Sequence, residues 1–201
     1  MQGMPSAAKR TIRTTLRGRR RLLWAARESA ADAAALARHG RAVVRAGGLG
    51  PGSTTTLYES FDGEPPTADL LSALLADGLR VLLPITESDL DLDWFDAADP
   101  HRRPLGKDAI HAADLVLAPG LAVDITGTRM GQGGGCYDRA LPRRAPGVAV
   151  VVLLHPGELH EALLPQDAHD VAVDGVLTAD GVTWLAPYLT GSPKPGPESA
   201  R

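Results

Sequence analysis

The sequence predicts a single α/β domain, and three observations support this fold class. The chain has 201 residues, enough to bury one core but short for two domains. Segments with helical periodicity alternate with short apolar strands, which is the pattern of a sheet covered by helices. Residues 148–154 form an unbroken run of β-branched residues and leucine, as expected of a parallel strand buried on both faces. We assign residues 1–190 to this domain and residues 191–201, rich in proline and polar residues, to a disordered tail.

The predicted elements follow one another along the chain. Helices are predicted over residues 6–27, 28–46 and 67–76, with Ser6 and Thr67 as N-caps. Strands are predicted over residues 54–58, 79–83, 90–95, 114–118, 148–154 and 171–177. A last short helix over residues 137–141 begins directly after a glycine-rich loop.

Composition limits the class of protein. The hydrophobic fraction of 44% and the charged fraction of 22% are close to globular averages. The sequence lacks the run of about 20 apolar residues that a spanning helix needs, and it has no signal-peptide pattern. Its one cysteine, Cys136, cannot form an internal disulfide, which fits a reducing compartment. We therefore expect a cytoplasmic protein without a membrane partner.

Positive charge is concentrated at the start of the chain. Residues 1–45 carry eleven basic and two acidic side chains, so this segment has a charge of +9 and the remainder −12, for a total of −3. Aromatic residues do not interleave with these cations, and we expect no nucleic-acid partner. Lys9, Arg13 and Arg17 recur every four residues and form one row on the first helix. The row could bind a polyphosphate, or it could be a solvated arginine face.

Residues 129–138, Arg-Met-Gly-Gln-Gly-Gly-Gly-Cys-Tyr-Asp, are a candidate phosphate site. Closely spaced glycines allow backbone amides to point into one concavity, and the following helix start adds its dipole. Arg129 can bind two phosphate oxygens, whereas Asp138 beside a polyphosphate requires a cation and so indicates Mg²⁺. A flexible turn is the alternative, because neither the Walker pattern nor Gly-x-Gly-x-x-Gly after a strand is matched well.

Four ordered segments resemble the 5-formyltetrahydrofolate cyclo-ligase family. They are Lys9-Arg-Thr-Ile-Arg13, Gly63-Glu-Pro-Pro-Thr67, Arg129 to Arg139 preceded by a strand ending in Pro119-Gly120, and Leu164-Pro-Gln-Asp-Ala-His-Asp170. The resemblance spans about residues 9–178. It implies a Rossmann-like three-layer α/β/α sandwich with a mostly parallel sheet.

The resemblance also implies a reaction. The family cyclises 5-formyltetrahydrofolate to 5,10-methenyltetrahydrofolate with ATP and Mg²⁺, through a phosphorylated formyl intermediate, and releases ADP and phosphate. The formyl oxygen is a poor leaving group until it is phosphorylated. The attacking atom, N10, already belongs to the same molecule, so the substrate itself brings the reacting atoms together. The implied partners are therefore the small molecules 5-formyltetrahydrofolate and ATP. The sequence does not fix the oligomeric state, and we take a monomer as the expectation.

Site residues are carried over from the family by motif position. The catalytic residues implied are Lys9, Arg129 and Tyr137. The nucleotide-binding residues implied are Lys9, Arg10, Arg13, Arg129, Gly131, Gln132, Gly133, Gly134, Gly135, Cys136 and Tyr137. The folate-contacting residues implied are Glu59, Glu64, Gln132 and Tyr137. The metal ligands implied are Asp138 and Asp170.

Two loop positions depart from the family pattern and leave an alternative function open. Many relatives have tyrosine at the position of Cys136, and tyrosine or arginine at that of Gln132. A non-catalytic paralogue that binds folate or nucleotide is therefore the second hypothesis. An isomerase or transferase rests only on fold analogy. The residues among 90–112 that border the folate are also open, because residues 104–110 do not match the family's Gly-Ile-x-Glu-Pro.

Two weaker constellations have simpler interpretations. Cys136 could be a nucleophile, but no sequence feature supplies a paired base, and a packing residue is favoured. His155, Glu158 and His160 match no zinc motif and are interpreted as lining a loop.

Overall fold

The computed structural model describes residues 7–167 and 170–185. The predicted tail and the predicted cap Ser6 lie outside these ranges. The helices are α1 (Ala7–Ala25), α2 (Ser29–Ala46), α3 (Ala68–Ala76) and α4 (Cys136–Ala140), with 3₁₀ helices over Lys107–Ala112 and Leu141–Arg143. The strands are β1 (Thr54–Thr56), β2 (Arg80–Thr86), β3 (Leu92–Asp96), β4 (Leu115–Pro119), β5 (Ala122–Asp124), β6 (Arg129–Met130), β7 (Ala149–Leu153), β8 (Leu159–His160), β9 (Gly175–Thr178) and β10 (Gly181–Trp184). None of the helices in the described part is long and apolar enough to cross a bilayer.

A seven-stranded sheet organises the molecule in the order β10-β9-β7-β4-β1-β2-β3. The four inner pairings are parallel, and only the two edge pairings, β10 with β9 and β2 with β3, are antiparallel. This confirms the predicted mostly parallel sheet. The carboxyl ends of β1, β4 and β7 therefore meet at one edge, where ligands bind in open α/β folds.

Apolar side chains on both faces of the sheet make it the middle of three layers. Leu36 and Val43 of α2 and Leu70 and Leu74 of α3 pack with one face of the sheet. The other face belongs to a cluster that includes Trp94, Ile110, Tyr137 and Leu141, from the edge strand, the 3₁₀ helices and α4. The three-layer α/β prediction is confirmed.

A second, three-stranded sheet in the order β6-β5-β8 was not predicted. Its strands have two or three residues each, too few to show a periodicity of two in the sequence. Leu16 of α1 packs on this sheet with Leu121, Ala122 and Met130. The small sheet thus holds α1, with its row of cations, beside the strand that carries Arg129.

Several local predictions differ from the structure. Strand β10 was not predicted, the predicted strand 54–58 ends at Thr56, and the predicted strand 79–83 continues to Thr86. The last predicted strand, 171–177, begins only at Gly175, where pairing with β7 starts. Thr67 precedes α3, but its side chain makes no capping hydrogen bond. Its hydroxyl instead donates to the carbonyl oxygen of Tyr58 at 2.7 Å, so Thr67 fixes the loop after β1 rather than the helix end.

A substitution at Gly127, between β5 and β6, tests how closely the small sheet packs against the segment at Val173. It has a φ of +88°, and a Cβ there would lie 2.5 Å from the carbonyl oxygen of Val173. Gly52 has the same φ with nothing within 4 Å. In either alanine variant, backbone strain should lower the free energy of unfolding by about 1–2 kcal/mol. Gly127→Ala should lower it by about 1–3 kcal/mol more, because the backbone contact with Val173 must open. Denaturant unfolding of the two variants measures the difference, and equal losses would show that the contact at Val173 is not restrictive.

Candidate active site

One cavity of about 320 Å³ lies at the carboxyl edge of the large sheet. It is lined by α1, by the loop after β1, by the end of β4 and by the segment from β6 into α4. Of the predicted site residues, the cavity brings together Lys9, Arg13, Glu59, Glu64, Arg129, Gly131, Gln132, Gly133, Gly134, Gly135, Cys136, Tyr137, Asp138 and Asp170. Arg10 is exposed on α1 and is not among the lining residues, so its role stays a prediction. Four segments distant in sequence therefore form one site.

Lys9 is a buried cation at one wall of the cavity. It is 4% exposed, and its Nζ lies 2.7 Å from an Asp167 carboxylate oxygen and 2.6 Å from one of Asp170. Burial alone would lower the pKa of Lys9, but the hydrogen bonds to Asp167 and Asp170 and their negative charges outweigh it and raise the pKa. The side chain is thus held protonated at the wall.

Arg129 and Asp138 form an ion pair at the glycine-rich loop. Arg129 is 7% exposed, and its Nη2 donates to Asp138 Oδ1 at 2.5 Å. The guanidinium carbon lies 5.7 Å from the centre of the Tyr137 ring, a distance typical of a cation–π contact. Within the described residues, Arg129 Nε and the Tyr137 hydroxyl are buried without a hydrogen-bond partner. Both are donors that a ligand in the cavity could satisfy.

Burial also affects Tyr137 itself. Burial raises its pKa, the charge of Arg129 opposes this rise, and Glu64 adds to it. The hydroxyl is therefore a neutral donor at physiological pH. The ring is held edge-on by Trp94, with centroids 6.4 Å apart, which assigns Trp94 to the core.

Arginines on both sides hold the glycine-rich loop through its carbonyl oxygens. Arg13 Nε donates to the Gly131 carbonyl at 3.1 Å, and Arg139 Nη2 donates to that of Gly134 at 2.7 Å. Gly133 and Gly135 have φ of +113° and +69°, a region that side chains with a Cβ rarely adopt. The loop thus has a conformation that requires glycine, and its carbonyls are already paired with cations.

Gln132, a departure from the family pattern, has a defined partner. Arg17 donates from Nε to Gln132 Oε1 at 3.0 Å and from Nη2 to the Gln132 carbonyl at 2.5 Å. An arginine at position 132 would place a second cation against Arg17. The glutamine is therefore matched to this chain's own α1.

Because both side chains are exposed, the contact between Arg17 and Gln132 should be worth little alone. We expect Arg17→Ala and Gln132→Ala each to raise the KM for ATP roughly threefold, and the double variant to be no worse than the worse single one, since the pair acts as a unit. Arg21→Ala, an exposed arginine four residues further along α1, is the control. Multiplicative effects in steady-state kinetics would show that the two residues do not act together.

The two predicted folate glutamates have different surroundings. Glu64 is half-buried, and its Oε2 accepts the Phe61 N–H at 3.1 Å. Burial raises the pKa of Glu64, against the opposing effects of that hydrogen bond and of Arg20. Glu59 is exposed and paired with Arg102 at 2.5 Å. Glu64 is thus the carboxylate enclosed by the cavity wall, and Glu59 lies nearer solvent.

A buried arginine that the sequence reasoning missed fastens α1 to the sheet. Arg20 is 5% exposed and donates from Nε and Nη2 to the two carboxylate oxygens of Glu158, each at 2.6 Å. Nη2 also donates to the Gly120 carbonyl at 2.6 Å. The available signal was the spacing of four from the buried Leu16, which places Arg20 on the packed side of α1.

His155 and Glu158 form hydrogen bonds that fix the loop after β7. Glu158 accepts the backbone N–H of His155 at 2.9 Å, while His155 Nε2 donates to the Gly63 carbonyl at 3.1 Å. Burial lowers the pKa of His155, consistent with a neutral ring. His155, in the loop after β7, therefore fixes the position of Gly63 next to Glu64.

The carboxylates of the cavity are suited to Mg²⁺ shared with phosphate rather than to a closed protein cage. Over residues 7–167 and 170–185, no three His, Cys, Asp or Glu side chains are placed to hold a metal. Asp138 and Asp170 both line the cavity, and each has a neighbouring cation, Arg129 and Lys9. Mg²⁺ commonly takes one or two carboxylates and completes its shell with phosphate oxygens and water. This donor set fits the ion if phosphate is present.

Comparisons with known proteins identify the family of this chain. Residues 5–179 match the model of the 5-formyltetrahydrofolate cyclo-ligase family. A 5-formyltetrahydrofolate cyclo-ligase of Mycolicibacterium smegmatis is 36% identical over 63% of this chain and 74% of its own length. The protein of that name from Escherichia coli K12 is 28% identical over 64% and 79%.

Solved structures share the fold. The NMR structure of 5,10-methenyltetrahydrofolate synthetase from Aquifex aeolicus aligns with a TM-score of 0.69 and 19% identity, covering 96% of this chain and 99% of the other. The synthetase from Mycoplasma pneumoniae aligns with a TM-score of 0.68 and 18% identity, covering 85% and 98%. The chain belongs to the 5-formyltetrahydrofolate cyclo-ligase family, a family of enzymes.

Proposed function

We propose that this chain catalyses the ATP- and Mg²⁺-dependent cyclisation of 5-formyltetrahydrofolate to 5,10-methenyltetrahydrofolate, with release of ADP and phosphate. The observation that carries the proposal is that one cavity holds both groups suited to phosphate and groups suited to a polar heterocycle. Lys9, Arg129 and the glycine-rich loop offer cations and a backbone concavity for phosphate. Glu64 and two tyrosines offer polar groups beside apolar lining residues such as Phe61 and Leu92. A phosphate donor and a polar heterocycle would be neighbours there.

The residues of the chain would act mainly by binding and charge compensation. When bound, ATP with Mg²⁺ supplies the phosphoryl group that turns the formyl oxygen into a leaving group. Lys9 and Arg129 would bind phosphate oxygens and offset the charge that develops on them during transfer. Asp138 and Asp170 would hold Mg²⁺ against those oxygens. The Tyr137 hydroxyl, which has no hydrogen-bond partner in the part of the chain that the structure describes, would donate to the formyl oxygen and orient it.

Positioning of the folate would complete the reaction. Glu64 would accept hydrogen bonds from the pterin N–H and amino groups and so fix the ring, which also fixes N10 relative to the formyl carbon. N10 then bonds to that carbon and releases its proton to solvent, and the carbon–oxygen bond breaks as phosphate leaves with the oxygen. Both reacting atoms belong to one bound molecule.

The test is the appearance of the methenyltetrahydrofolate absorbance when purified chain is mixed with 5-formyltetrahydrofolate, ATP and Mg²⁺. We expect product only with all components, and loss of the signal on chelation with EDTA. Absence of product under complete conditions would reject the activity.

A non-catalytic paralogue is the second candidate, favoured by Cys136 at a position where many relatives carry tyrosine. Calorimetry separates the two candidates. Binding of 5-formyltetrahydrofolate without ATP consumption would support the paralogue. Turnover would exclude it. The cytoplasmic location and the monomeric state stay predictions.

A further inference from the structure

The hydroxyl group of Tyr58 is an unexplained polar atom at the cavity wall. Tyr58 is 4% exposed and lines the cavity, and its hydroxyl has no hydrogen-bond partner among the described residues. A buried hydroxyl left unpaired costs free energy, so native proteins keep few of them. At the wall of a binding cavity, such a group can be satisfied by the ligand.

The backbone around Tyr58 is fixed before any ligand arrives. The Tyr58 carbonyl accepts the Thr67 hydroxyl at 2.7 Å. Thr67 Oγ1 in turn accepts the Ser60 N–H at 3.2 Å, and Ser60 Oγ accepts the Thr67 N–H at 3.3 Å. This explains why Thr67 does not cap α3. The aromatic ring is therefore attached to a segment with a defined position, as specific recognition requires.

Tyr58 and Glu64 belong to the same loop between β1 and α3, and both line the cavity, so Tyr58 lies on the side that we assign to the folate. Burial raises the pKa of Tyr58, and the strongest charged contribution to that rise comes from Glu64. Tyr137, by contrast, lies under the Arg129 guanidinium of the phosphate side. Glu64 also raises the pKa of Tyr137, but of the two tyrosines it is Tyr137 whose ring contacts the Arg129 guanidinium, and it is Tyr58 that shares a loop with Glu64.

We propose that Tyr58 is a specificity-determining residue whose hydroxyl donates a hydrogen bond to the oxo group of the pterin ring held by Glu64. The proposal rests on the folate part of the proposed function. A carboxylate accepts the ring N–H and amino donors, and a neighbouring hydroxyl satisfies the adjacent oxo acceptor. Together they complement a cyclic amide edge, which carries both kinds of group side by side. A site of this kind discriminates strongly between ligands, because a ligand that lacks the cyclic amide edge leaves the polar groups of the site unpaired.

Tyr58→Phe isolates the hydroxyl, because it removes one oxygen atom and keeps the ring. We expect the Kd for 5-formyltetrahydrofolate to rise roughly 3- to 10-fold, the effect of one neutral hydrogen bond. The KM for ATP should not change. The melting temperature should stay the same or rise, because the variant no longer buries an unpaired hydroxyl. A preserved melting temperature shows that a change in Kd does not come from misfolding.

Two halves of the substrate, used as separate probes, locate the contact. Affinities of 6-methyltetrahydropterin and of p-aminobenzoylglutamate are measured by NMR titration for the wild type and Tyr58→Phe. The pterin should lose affinity by the same factor as the whole substrate, and p-aminobenzoylglutamate should lose none. Equal Kd values of wild type and variant for 5-formyltetrahydrofolate, as for a hydroxyl satisfied by water alone, would overturn the proposal. So would a loss confined to p-aminobenzoylglutamate.

These outcomes are separate from failure of the proposed function. If the wild type shows no turnover but Tyr58→Phe weakens pterin binding, the cyclisation fails and the contact holds. If the wild type turns over and both proteins bind the pterin equally, the contact fails and the cyclisation holds.

Discussion

Arg129→Ala should lower turnover roughly 10²- to 10³-fold, the range found when one preorganised donor to a developing charge is removed. The side chain is buried beside the glycine-rich loop, its Nε has no partner among the described residues, and it is anchored by Asp138. A ligand oxygen at Nε would therefore meet a cation that is already positioned. Steady-state kinetics at saturating ATP and folate measure the effect.

The matched control for Arg129 is Arg41, which also pairs with an aspartate. Arg41 lies on α2, and its Nη2 is 2.6 Å from Asp77. Arg41→Ala should leave turnover unchanged. Arg129→Lys keeps the charge but not the two-pronged geometry, and should fall between wild type and alanine. Arg129→Ala with wild-type turnover would remove Arg129 from the mechanism.

Loss of fold must be separated from loss of catalysis in this variant. Arg129→Ala leaves the Asp138 carboxylate without its cation, which destabilises the protein. Turnover of Arg129→Ala is therefore measured at a temperature well below its own melting temperature, where the variant is folded, and we expect the loss to persist there. Turnover that returns to the wild-type value under these conditions would show that Arg129 acts only through stability.

Lys9→Met should reduce kcat/KM for ATP roughly 100-fold, because it removes the other buried cation that we assign to phosphate. It also leaves Asp167 and Asp170, both within 2.7 Å of Lys9 Nζ, to repel each other. Because the pKa of Lys9 is raised in the folded protein, the stability that Lys9 contributes should be fully present at neutral pH and be lost as the pH rises through that pKa, so the difference between wild type and variant should shrink at alkaline pH. Thermal unfolding of wild type and variant across pH measures the trend.

Lys107 is a matched control for Lys9, because it also pairs with two aspartates. Its Nζ lies 2.9 Å from Asp89 and 3.3 Å from Asp91, but it does not line the cavity. Lys107→Met should leave kcat/KM for ATP unchanged. Equal activity losses in the two variants would mean that Lys9 has no special relation to phosphate.

The parts of the fold with long, regular patterns could be predicted from the sequence. The run at residues 148–154 is β7, and the helical stripe at residues 6–27 contains α1. The glycine-rich loop could also be found, because closely spaced glycines are a local signal. The family resemblance, rather than a local pattern, grouped this loop with Lys9 and Asp170, and in the structure all three line one cavity.

Contacts between distant residues could not be predicted in the same way. Arg20 and Glu158 are 138 residues apart, and no local pattern marks either as the partner of the other. The sequence marks Gln132 only as a departure from the family pattern, and its hydrogen bond with Arg17 is visible only in the folded chain. The role that we propose for Tyr58 depends on its burial and on a hydroxyl without a partner among residues 7–167 and 170–185, and neither can be seen in the sequence.

Phosphorylation of the formyl oxygen is tested most directly by isotope transfer. 5-Formyltetrahydrofolate carrying heavy oxygen in its formyl group is converted with ATP and Mg²⁺, and the released phosphate is analysed by mass spectrometry. Each phosphate released should contain one heavy oxygen atom, because the formyl oxygen leaves with the phosphoryl group. Methenyltetrahydrofolate formed together with unlabelled phosphate would contradict this chemistry.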